Sequence, residues 1–299
     1  MAAPAPVSHL ARPREDNAGK GIALMLLAYF LFSCTDTTVK WLSVAGIPAM
    51  QLAFLRFSTH LVLSTGPMLG RDHSGFTAPR AQALAMLGRG ALLLVSTVTN
   101  FISLAYLDLT VTAAIMFSAP IIVCALSVPL LGERVGPWRW SAIVVGFLGV
   151  LIVVRPWSAE FHWAAILSLT GATAFALFSI MTRRLAGVAA PRTMQLYAGV
   201  VGTVVLAPIA LWLWQSPATP VDWLLLFAIG VFAWSGHHFF SMAHGYAPAS
   251  VLMPFTYSFL IYLAVWGYAV FGTVPDLQTV VGALIIAAAG LVIWWRERP

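Results

Sequence analysis

Residues 21–42 read GIALMLLAYFLFSCTDTTVKWL, an apolar stretch that closes with one acidic and one basic side chain. A helix rises 1.5 Å per residue, so about 20 such residues cross the hydrocarbon core of a bilayer. Asp36 and Lys40 stand four residues apart and share one helical face, which Ser33 and Thr37 extend. Because charge inside a membrane span is costly, we expect this face to line a polar path through a helical bundle.

The composition of the whole chain is that of a membrane protein. Of its 299 residues, 60% are hydrophobic and 9% are charged, whereas soluble domains carry about 25% charged residues. The mean hydropathy is +0.89. We therefore predict an all-α membrane protein with ten transmembrane helices. The ten apolar runs lie at approximately 21–42, 48–69, 84–106, 110–131, 138–155, 162–182, 193–214, 222–243, 247–271 and 276–295.

The placement of charge predicts the orientation of these spans. With a cytosolic N-terminus, Lys40 and Arg155 fall at the outer side and Arg56 falls within a span. The other Lys and Arg residues all lie at or near the cytosolic side: Arg12, Arg14, Lys20, Arg71, Arg80, Arg89, Arg134, Arg139, Arg183, Arg184, Arg192, Arg296 and Arg298. Cytosolic loops are enriched in basic residues, so both termini are predicted to be cytosolic. The net charge of +6 then reflects topology and gives little support to nucleic-acid binding.

The polar, proline-rich residues 1–20 have no apolar core, so we predict a disordered cytosolic tail rather than a cleaved signal peptide.

The two halves of the sequence repeat each other. Four short matches recur in order at nearly constant separation: 31–33 with 177–179, 50–52 with 194–196, 103–105 with 241–243, and 149–155 with 290–296. The pattern predicts one duplicated unit of five spans, at residues 21–155 and 162–296. Five is an odd number, so the second copy enters the membrane in the opposite sense. Inverted repeats of this kind are typical of alternating-access transporters, whose substrate site lies where the repeats meet.

Three motifs of the first half resemble those of a known family. Lys40 ends the first span, Leu52-Ala-Phe-Leu-Arg56 lies in the second, and Leu131-Gly-Glu133 closes the fourth. With the ten-span arrangement, they resemble the EamA-type transporters of the drug/metabolite transporter superfamily, and most of all the YddG-type exporters of aromatic and other amino acids. The second half departs from this pattern, with Phe271-Gly-Thr273 at the matching point.

The resemblance covers residues 20–296 and implies a basket-like bundle around a central cavity. The first, third, fourth, sixth, eighth and ninth helices would chiefly line this cavity. The implied activity is export of small metabolites.

Asp36, Lys40 and Arg56 are the candidate gate or charge pair. Counted from the helix ends, Asp36 lies roughly 8–10 Å below the outer surface and Arg56 roughly 12 Å below it. These similar depths favour a buried Asp36–Arg56 pair with Lys40 above it. The alternative interpretation is a structural ion pair together with a lysine that extends to the interface.

The candidate substrate cavity includes Ser33 and Thr37 and further residues of the later spans. Each also has an ordinary structural interpretation, as a hydrogen bond between helices, a proline kink or an aromatic side chain facing core or lipid. These residues are Asn100, Met116, Phe117, Pro120, Phe175, Phe178, Ser179, Trp234, His237 and Tyr257.

Several other classes of site have no support in the sequence. His237, His238 and His244 lack Cys or carboxylate residues at the spacing of a zinc site. Motifs of metalloproteases, serine hydrolases and phosphate-binding loops are absent. Cys34 and Cys124 lie inside apolar runs, which argues against a disulfide framework. We expect no metal, no cofactor and no enzymatic activity.

The sequence as a whole predicts a multi-pass transporter of the cytoplasmic (inner) membrane. It would export amino acids, aromatic and other neutral ones, or similar small metabolites by alternating access, with coupling to protons and uniport both open. The alternatives are a carrier for other metabolites or drug-like cations, a channel, or an intramembrane enzyme. The expected partners are a small-molecule substrate and membrane lipid, and the oligomeric state stays open, a monomer included.

This topology predicts that residues 1–20 and 296–299 lie together on the cytosolic face. Single cysteines introduced into each segment should react with a membrane-impermeant thiol reagent only after the cells are opened. Labelling of the two segments from opposite faces would contradict the inverted repeat.

Overall fold

The computed structural model describes residues 17–65, 79–131, 137–159, 161–185, 189, 191–247 and 252–296. Every regular element within these ranges is helical. Most of the predicted tail at residues 1–20, and Gly132 and Glu133 of the Leu131-Gly-Glu133 motif, lie outside the described residues.

The first half contains six helices, because the fourth predicted span is broken in two. They are α1 (Ala18–Val44), α2 (Ala49–Thr65), α3 (Arg80–Tyr106), α4 (Leu109–Met116), α5 (Ala119–Leu131) and α6 (Pro137–Val154). Helix α1 begins three residues earlier than predicted. The reason is Asn17, whose side chain accepts a hydrogen bond from the Lys20 amide at 3.0 Å and caps the helix N-terminus.

The second half repeats this arrangement, and its ninth span begins as a tighter turn. Its elements are α7 (Ala164–Leu185), α8 (Pro191–Trp212), α9 (Pro220–Tyr246), a 3-10 helix (Met253–Tyr257), α10 (Ser258–Phe271) and α11 (Leu277–Arg296). The described elements thus account for ten spans, with α4 and α5 forming the fourth, and the 3-10 helix and α10 the ninth.

Five helices are long and apolar enough to cross a membrane on length and composition alone. They span Ala18–Val44, Arg80–Tyr106, Ala164–Thr182, Thr193–Trp212 and Pro220–Phe240. Shorter apolar helices lie at Leu109–Val123, Trp140–Val154, Phe255–Phe271 and Leu277–Val292. The fourth and ninth spans are short because each is interrupted.

Helix packing relates the two halves by an approximate two-fold exchange. Helix α1 packs on α9, which are the first and eighth spans, and α3 packs on α7, which are the third and sixth spans. Exchanging the first span with the sixth and the third with the eighth therefore converts one pair into the other. The pairs α2–α8 and α6–α11 are each converted into themselves. The halves are therefore interlocked across α2–α8 and α6–α11, rather than lying side by side as separate bundles.

Proline explains the interruption of the fourth span. Pro120 has no backbone N–H, and its ring conflicts with the carbonyl four residues earlier, which belongs to Met116. Helix α4 ends at Met116, and the Ser118 amide bonds the Ile115 carbonyl at 3.0 Å in a tighter turn. The break lies at the matching place to the 3-10 helix of the ninth span.

Two polar contacts tie the halves together near the predicted outer surface. Gln51 at the start of α2 donates to the Gln215 carbonyl and accepts from the Gln215 amide, both at 2.9 Å. Arg155, after α6, donates to the Asp276 carboxylate before α11. Partial burial raises the pKa of Asp276, but hydrogen bonds from Arg155 and Thr279 lower it more strongly, to about 2. This carboxylate is therefore charged at neutral pH and keeps its ion pair.

Glycines allow α2 to approach the second half closely. A Cβ at Gly202 of α8 would overlap the ring of Phe57, and one at Gly230 of α9 would overlap Thr59. At Gly88 of α3 the nearest atom would be the terminal methyl carbon of Met181, at an ordinary contact distance of 3.7 Å. Gly202 and Gly230 are thus required for packing, whereas Gly88 is not.

We predict that Gly202→Ala lowers the thermal stability of the purified protein. Alanine improves helix propensity by about 1 kcal/mol over glycine, but overpacking against Phe57 costs about 1–3 kcal/mol. The matched variant Gly88→Ala has only the propensity gain and should melt at the wild-type temperature or above. Equal melting temperatures for the two variants would contradict the close α2–α8 packing.

Candidate functional site

The polar face of α1 lies inside the bundle. Ser33 is fully buried; its hydroxyl donates to the Phe30 carbonyl at 2.6 Å and accepts the indole N–H of Trp266 in α10 at 3.1 Å. Thr37 is also buried and donates to the Ser33 carbonyl at 2.7 Å. Asp36 is half-buried beside them. This face therefore points toward α3 and α10 rather than toward lipid.

Asp36 is bound by an amide of α3. The side chain of Asn100 hydrogen-bonds the Asp36 carboxylate. Asn100 itself is only 9% exposed, and its Oδ1 atom has no hydrogen-bond partner. A buried acceptor without a partner costs free energy of about 1–3 kcal/mol. The Asp36–Asn100 pair consequently combines a carboxyl group with an unsatisfied acceptor inside the bundle.

Arg56 of α2 supplies the opposite charge to the same region. Its Nη1 atom donates to the Thr97 hydroxyl of α3 at 2.6 Å, and the guanidinium lies 6.0 Å from the ring centre of Phe101. The charges of Arg56 and Asp36 attract each other. Thr97 and Asn100 are three residues apart, so one turn of α3 supplies a direct hydrogen bond to each charged side chain.

Lys40 caps the end of α3. Its ammonium donates to the Leu107 carbonyl at 2.6 Å and to the Leu104 carbonyl at 3.4 Å. Its ion pair with Asp108 is longer, at 4.0 Å, and Asp108 is 48% exposed. The buried carbonyl contacts therefore hold Lys40 more firmly than the ion pair does, because exposed pairs contribute little.

A second polar cluster lies between the halves. His60 of α2 is buried, contacts Gln195 of α8, and has its ring centre 6.0 Å from that of His237 in α9. The His237 ring also packs edge-on against Phe32 of α1 at 4.9 Å. Arg56, His60, Gln195 and His237 line a small cavity of about 10 Å³.

The broken fourth and ninth spans meet through aromatic rings. Phe117 at the break stacks on Tyr257 of the 3-10 helix, with ring centres 5.1 Å apart. Phe259 lies 6.1 Å from Phe117 and 6.0 Å from Tyr29 of α1. Met116 and Pro120 flank the break and are partly buried. The rings form a continuous aromatic contact from the fourth span through the ninth to α1.

The remaining candidates lie on α7 and α9 and differ in burial. Phe178 is buried and stacks on Phe175, which is 37% exposed. Ser179 donates to the Phe175 carbonyl within its own helix at 2.8 Å. Trp234 stacks on the exposed His238 with nearly parallel rings, 5.4 Å apart.

Arg89 is a buried arginine that sequence reasoning assigned to the cytosolic side. It is 3% exposed, donates to the Thr182 hydroxyl at 2.6 Å and to the Met194 carbonyl at 3.1 Å, and lies over the Phe178 ring. His60 and Gln195 were also missed. A usable signal for Arg89 was its position nine residues inside a helix that begins at Arg80.

Two further features complete the description. A shallow groove of about 350 Å³ lies at the end of the bundle that carries the α1–α2 loop, lined by Ser43, Gly46, Ile47, Pro48, Ala49, Met50, Ile102, Ala105 and Tyr106. Within the described ranges, no three His, Cys, Asp or Glu side chains come together in a way that would hold a metal ion.

These features define a class of protein: a multi-pass helical membrane protein built of two related five-span halves, with half-buried residues of opposite charge inside the bundle. The profile of the EamA-like transporter family matches the chain twice, at residues 19–155 and 162–295. The chain belongs to this family, and its two matches are the two halves of the structure. It is a secondary transporter of small metabolites.

Curated relatives cover nearly the whole chain. The S-adenosylmethionine uptake transporter of Rickettsia prowazekii is 27% identical over 93% of this chain and 93% of its own. The riboflavin transporter of Rhizobium johnstonii is 28% identical over 93% and 91%. The pseudopaline exporter of Pseudomonas aeruginosa is 28% identical over 91% and 95%. These proteins differ in cargo and in stated direction.

The fold has a counterpart among crystal structures. One solved chain superposes with a TM-score of 0.62 at 14% identity, over 92% of this chain and 96% of the other. At this identity the likeness supports the fold alone.

We predict that Lys40→Met destabilises the protein by about 1–3 kcal/mol. The substitution removes the charged donor from two buried carbonyls at the negative end of the α3 dipole. Asp108→Asn, which alters only the long, exposed ion pair, should change stability by less than about 1 kcal/mol. Thermal unfolding of both variants measures the difference, and a larger effect at Asp108 would show that the ion pair dominates.

Proposed function

We propose that this protein carries amino acids, aromatic and other neutral ones, or closely related amino-acid metabolites across the cytoplasmic membrane by alternating access, with net export. The proposal is supported by the half-buried Asp36 and Arg56, which bring opposite charges to one region of the bundle beside α3. A zwitterionic amino acid carries the complementary pair, an ammonium and a carboxylate. Neither charge of such a substrate would then enter the membrane interior without a partner.

The neighbouring groups support the same substrate class. The Asn100 Oδ1 atom is an acceptor without a partner, so a substrate ammonium beside Asp36 would satisfy it. Arg56 has one hydrogen bond within the described part of the chain, to Thr97, which leaves guanidinium donors for a carboxylate. A substrate with a single charge would leave one of these side chains uncompensated.

The two-fold packing supports alternating access. The two halves meet along helices that the two-fold exchange interconverts. A rocking motion of one half against the other therefore has two equivalent end states, which expose the site to each side of the membrane in turn. The interrupted fourth and ninth spans lie opposite each other at Phe117 and Tyr257. Interruptions give such helices a place to bend without unfolding.

A second candidate cargo is a planar heteroaromatic metabolite. The stacked Phe117 and Tyr257, with Phe259 and Tyr29 beside them, present ring faces and edges near the predicted middle of the bundle. Aromatic side chains of this kind stack on planar ligands. One relative is named a riboflavin transporter, which makes flavins a natural member of any substrate panel.

Counterflow in proteoliposomes tests the proposal. Vesicles loaded with unlabelled L-phenylalanine should accumulate external labelled L-phenylalanine or L-threonine transiently and with saturation. Asp36→Ala and Lys40→Ala should slow this exchange about tenfold or more, because a lost charged hydrogen bond costs about 1.5–3 kcal/mol. A membrane proton gradient should accelerate uptake if protons are coupled and should have no effect on a uniporter.

The matched control is Asp108→Ala, which removes a half-exposed carboxylate between the third and fourth spans and should retain exchange. Both Asp36→Ala and Asp108→Ala must elute as folded protein for the comparison to count. Exchange of riboflavin without exchange of any amino acid would replace the first proposal with the second. A panel of amino acids, flavins and adenosyl compounds that shows no exchange at all would defeat both.

A further inference from the structure

The small cavity between the halves is lined by polar groups from three helices. Arg56 and His60 reach it from α2, Gln195 from α8 and His237 from α9, with Phe57, Leu93, Ala198 and Gly199 completing the wall. At about 10 Å³ it has room for roughly one water molecule. Four hydrogen-bonding side chains around so small a volume are far more than apolar packing requires.

Two of these side chains have hydrogen-bonding capacity that the described residues do not use. His60 is 7% exposed, and its Nε2 atom has no hydrogen-bond partner. Arg56 carries five N–H donors, of which one bonds Thr97 within the described chain. Unused capacity of this kind, deep in a membrane protein, is costly unless a ligand completes it.

The charges around the cavity favour an anion. Arg56 lies in the wall and brings a positive charge directly to the cavity. Asp36 of α1 interacts with Asn100 and with the charge of Arg56 and is not among the lining residues. Gln195 contributes amide donors, and among the described residues no acidic side chain lines the cavity.

We infer that this cavity is the carboxylate subsite of the transporter, with Arg56 as the anion-binding side chain and Gln195, His60 and His237 around it. The inference rests on the proposed function and assigns the substrate carboxylate to Arg56 and the substrate ammonium to Asp36. A planar guanidinium matches a carboxylate with two parallel hydrogen bonds. The Asp36–Asn100 pair then receives the ammonium, which an α-amino acid carries on the same carbon as its carboxylate, and the mutual attraction of Asp36 and Arg56 fits two such neighbouring subsites.

The cavity is smaller than a carboxylate, so binding requires the α2–α8 contact to open. Gly199 and Gly202 of α8 have no side chains, so α8 packs closely against Leu61 and Phe57 of α2. For the same reason, no side chain at either glycine would hinder the separation of the two helices. The subsite is therefore closed in this structure and enlarges when the two halves move apart.

Thermal stabilisation by three related ligands tests the inference. L-phenylalanine carries both charges, 3-phenylpropionate only the carboxylate, and phenethylamine only the ammonium. The first two should raise the melting temperature of the purified protein in a concentration-dependent way. Arg56→Gln should weaken 3-phenylpropionate binding about 10–100-fold, whereas Asp36→Asn, which removes the carboxylate that attracts Arg56, should not weaken it.

Further variants keep the test decisive if Arg56→Gln does not fold. His60→Phe and Gln195→Leu each remove one polar group of the wall and should reduce the 3-phenylpropionate response. Arg89→Gln is the matched control, since it also removes a buried guanidinium, but one whose hydrogen bonds lie outside the cavity. It should melt at a lower temperature and still respond to 3-phenylpropionate more than to phenethylamine.

The outcomes separate this inference from the proposed function. A 3-phenylpropionate response in wild type that Arg56→Gln abolishes supports the subsite, even if no amino acid exchanges in proteoliposomes. Amino-acid exchange with an unchanged carboxylate preference in Arg56→Gln, His60→Phe and Gln195→Leu overturns the subsite and leaves the proposed function standing. A wild-type protein that ignores 3-phenylpropionate also overturns it.

Discussion

Two half-buried residues that can carry opposite charges, Asp36 of α1 and Arg56 of α2, lie inside a layer that excludes water, and both interact with α3. Either charge alone would be strongly unfavourable there, since little solvent is available to stabilise it. Helix α3 responds by presenting Thr97 and Asn100 on one turn, so that each charged group keeps a direct hydrogen bond. The position of α3 between α1, α2 and α7 follows from this requirement as much as from apolar packing.

Both interrupted spans serve the same arrangement in the two halves. A continuous helix satisfies its own backbone and has no local reason to bend in lipid. The fourth span bends because Pro120 cannot donate to Met116, and the ninth span begins as a 3-10 helix. Their contact through Phe117 and Tyr257 places the two flexible points in one layer. Movement of one half can thus be transmitted to the other through ring packing.

Much of this fold was accessible from the sequence, because the bilayer demands long apolar runs and the duplication left matching tripeptides. The ten spans and the membership of the EamA family were predicted and are confirmed. The inward face of α1 was also accessible, since Ser33, Asp36 and Thr37 stand out against an apolar background. The roles of the candidate site residues stay predictions.

Other features depended on the rotation of each helix, which a nearly uniform apolar sequence does not encode. Arg89 was predicted to lie at or near the cytosolic side, which stays a prediction, but its burial against Phe178 of α7 was not foreseen. His60 has an unremarkable sequence context, and its partner Gln195 is 135 positions away. The amino-acid specificity inferred from resemblance is finer than the comparisons reach, because the named relatives carry different cargoes.

Gln51 and Gln195 occupy matching positions of the duplicated unit, yet they have different tasks. Gln51 is saturated by the backbone of Gln215, which fastens one end of the α2–α8 seam with two bonds. Gln195, at the other end, contacts only an imidazole side chain in the described structure. The α2–α8 contact is thus held by two hydrogen bonds to backbone at the Gln51 end and by one contact between side chains at the Gln195 end. Helices α2 and α8 should therefore separate more readily at the Gln195 end than at the Gln51 end. Two residues that match in the duplicated unit thus make the two faces of the membrane unequal.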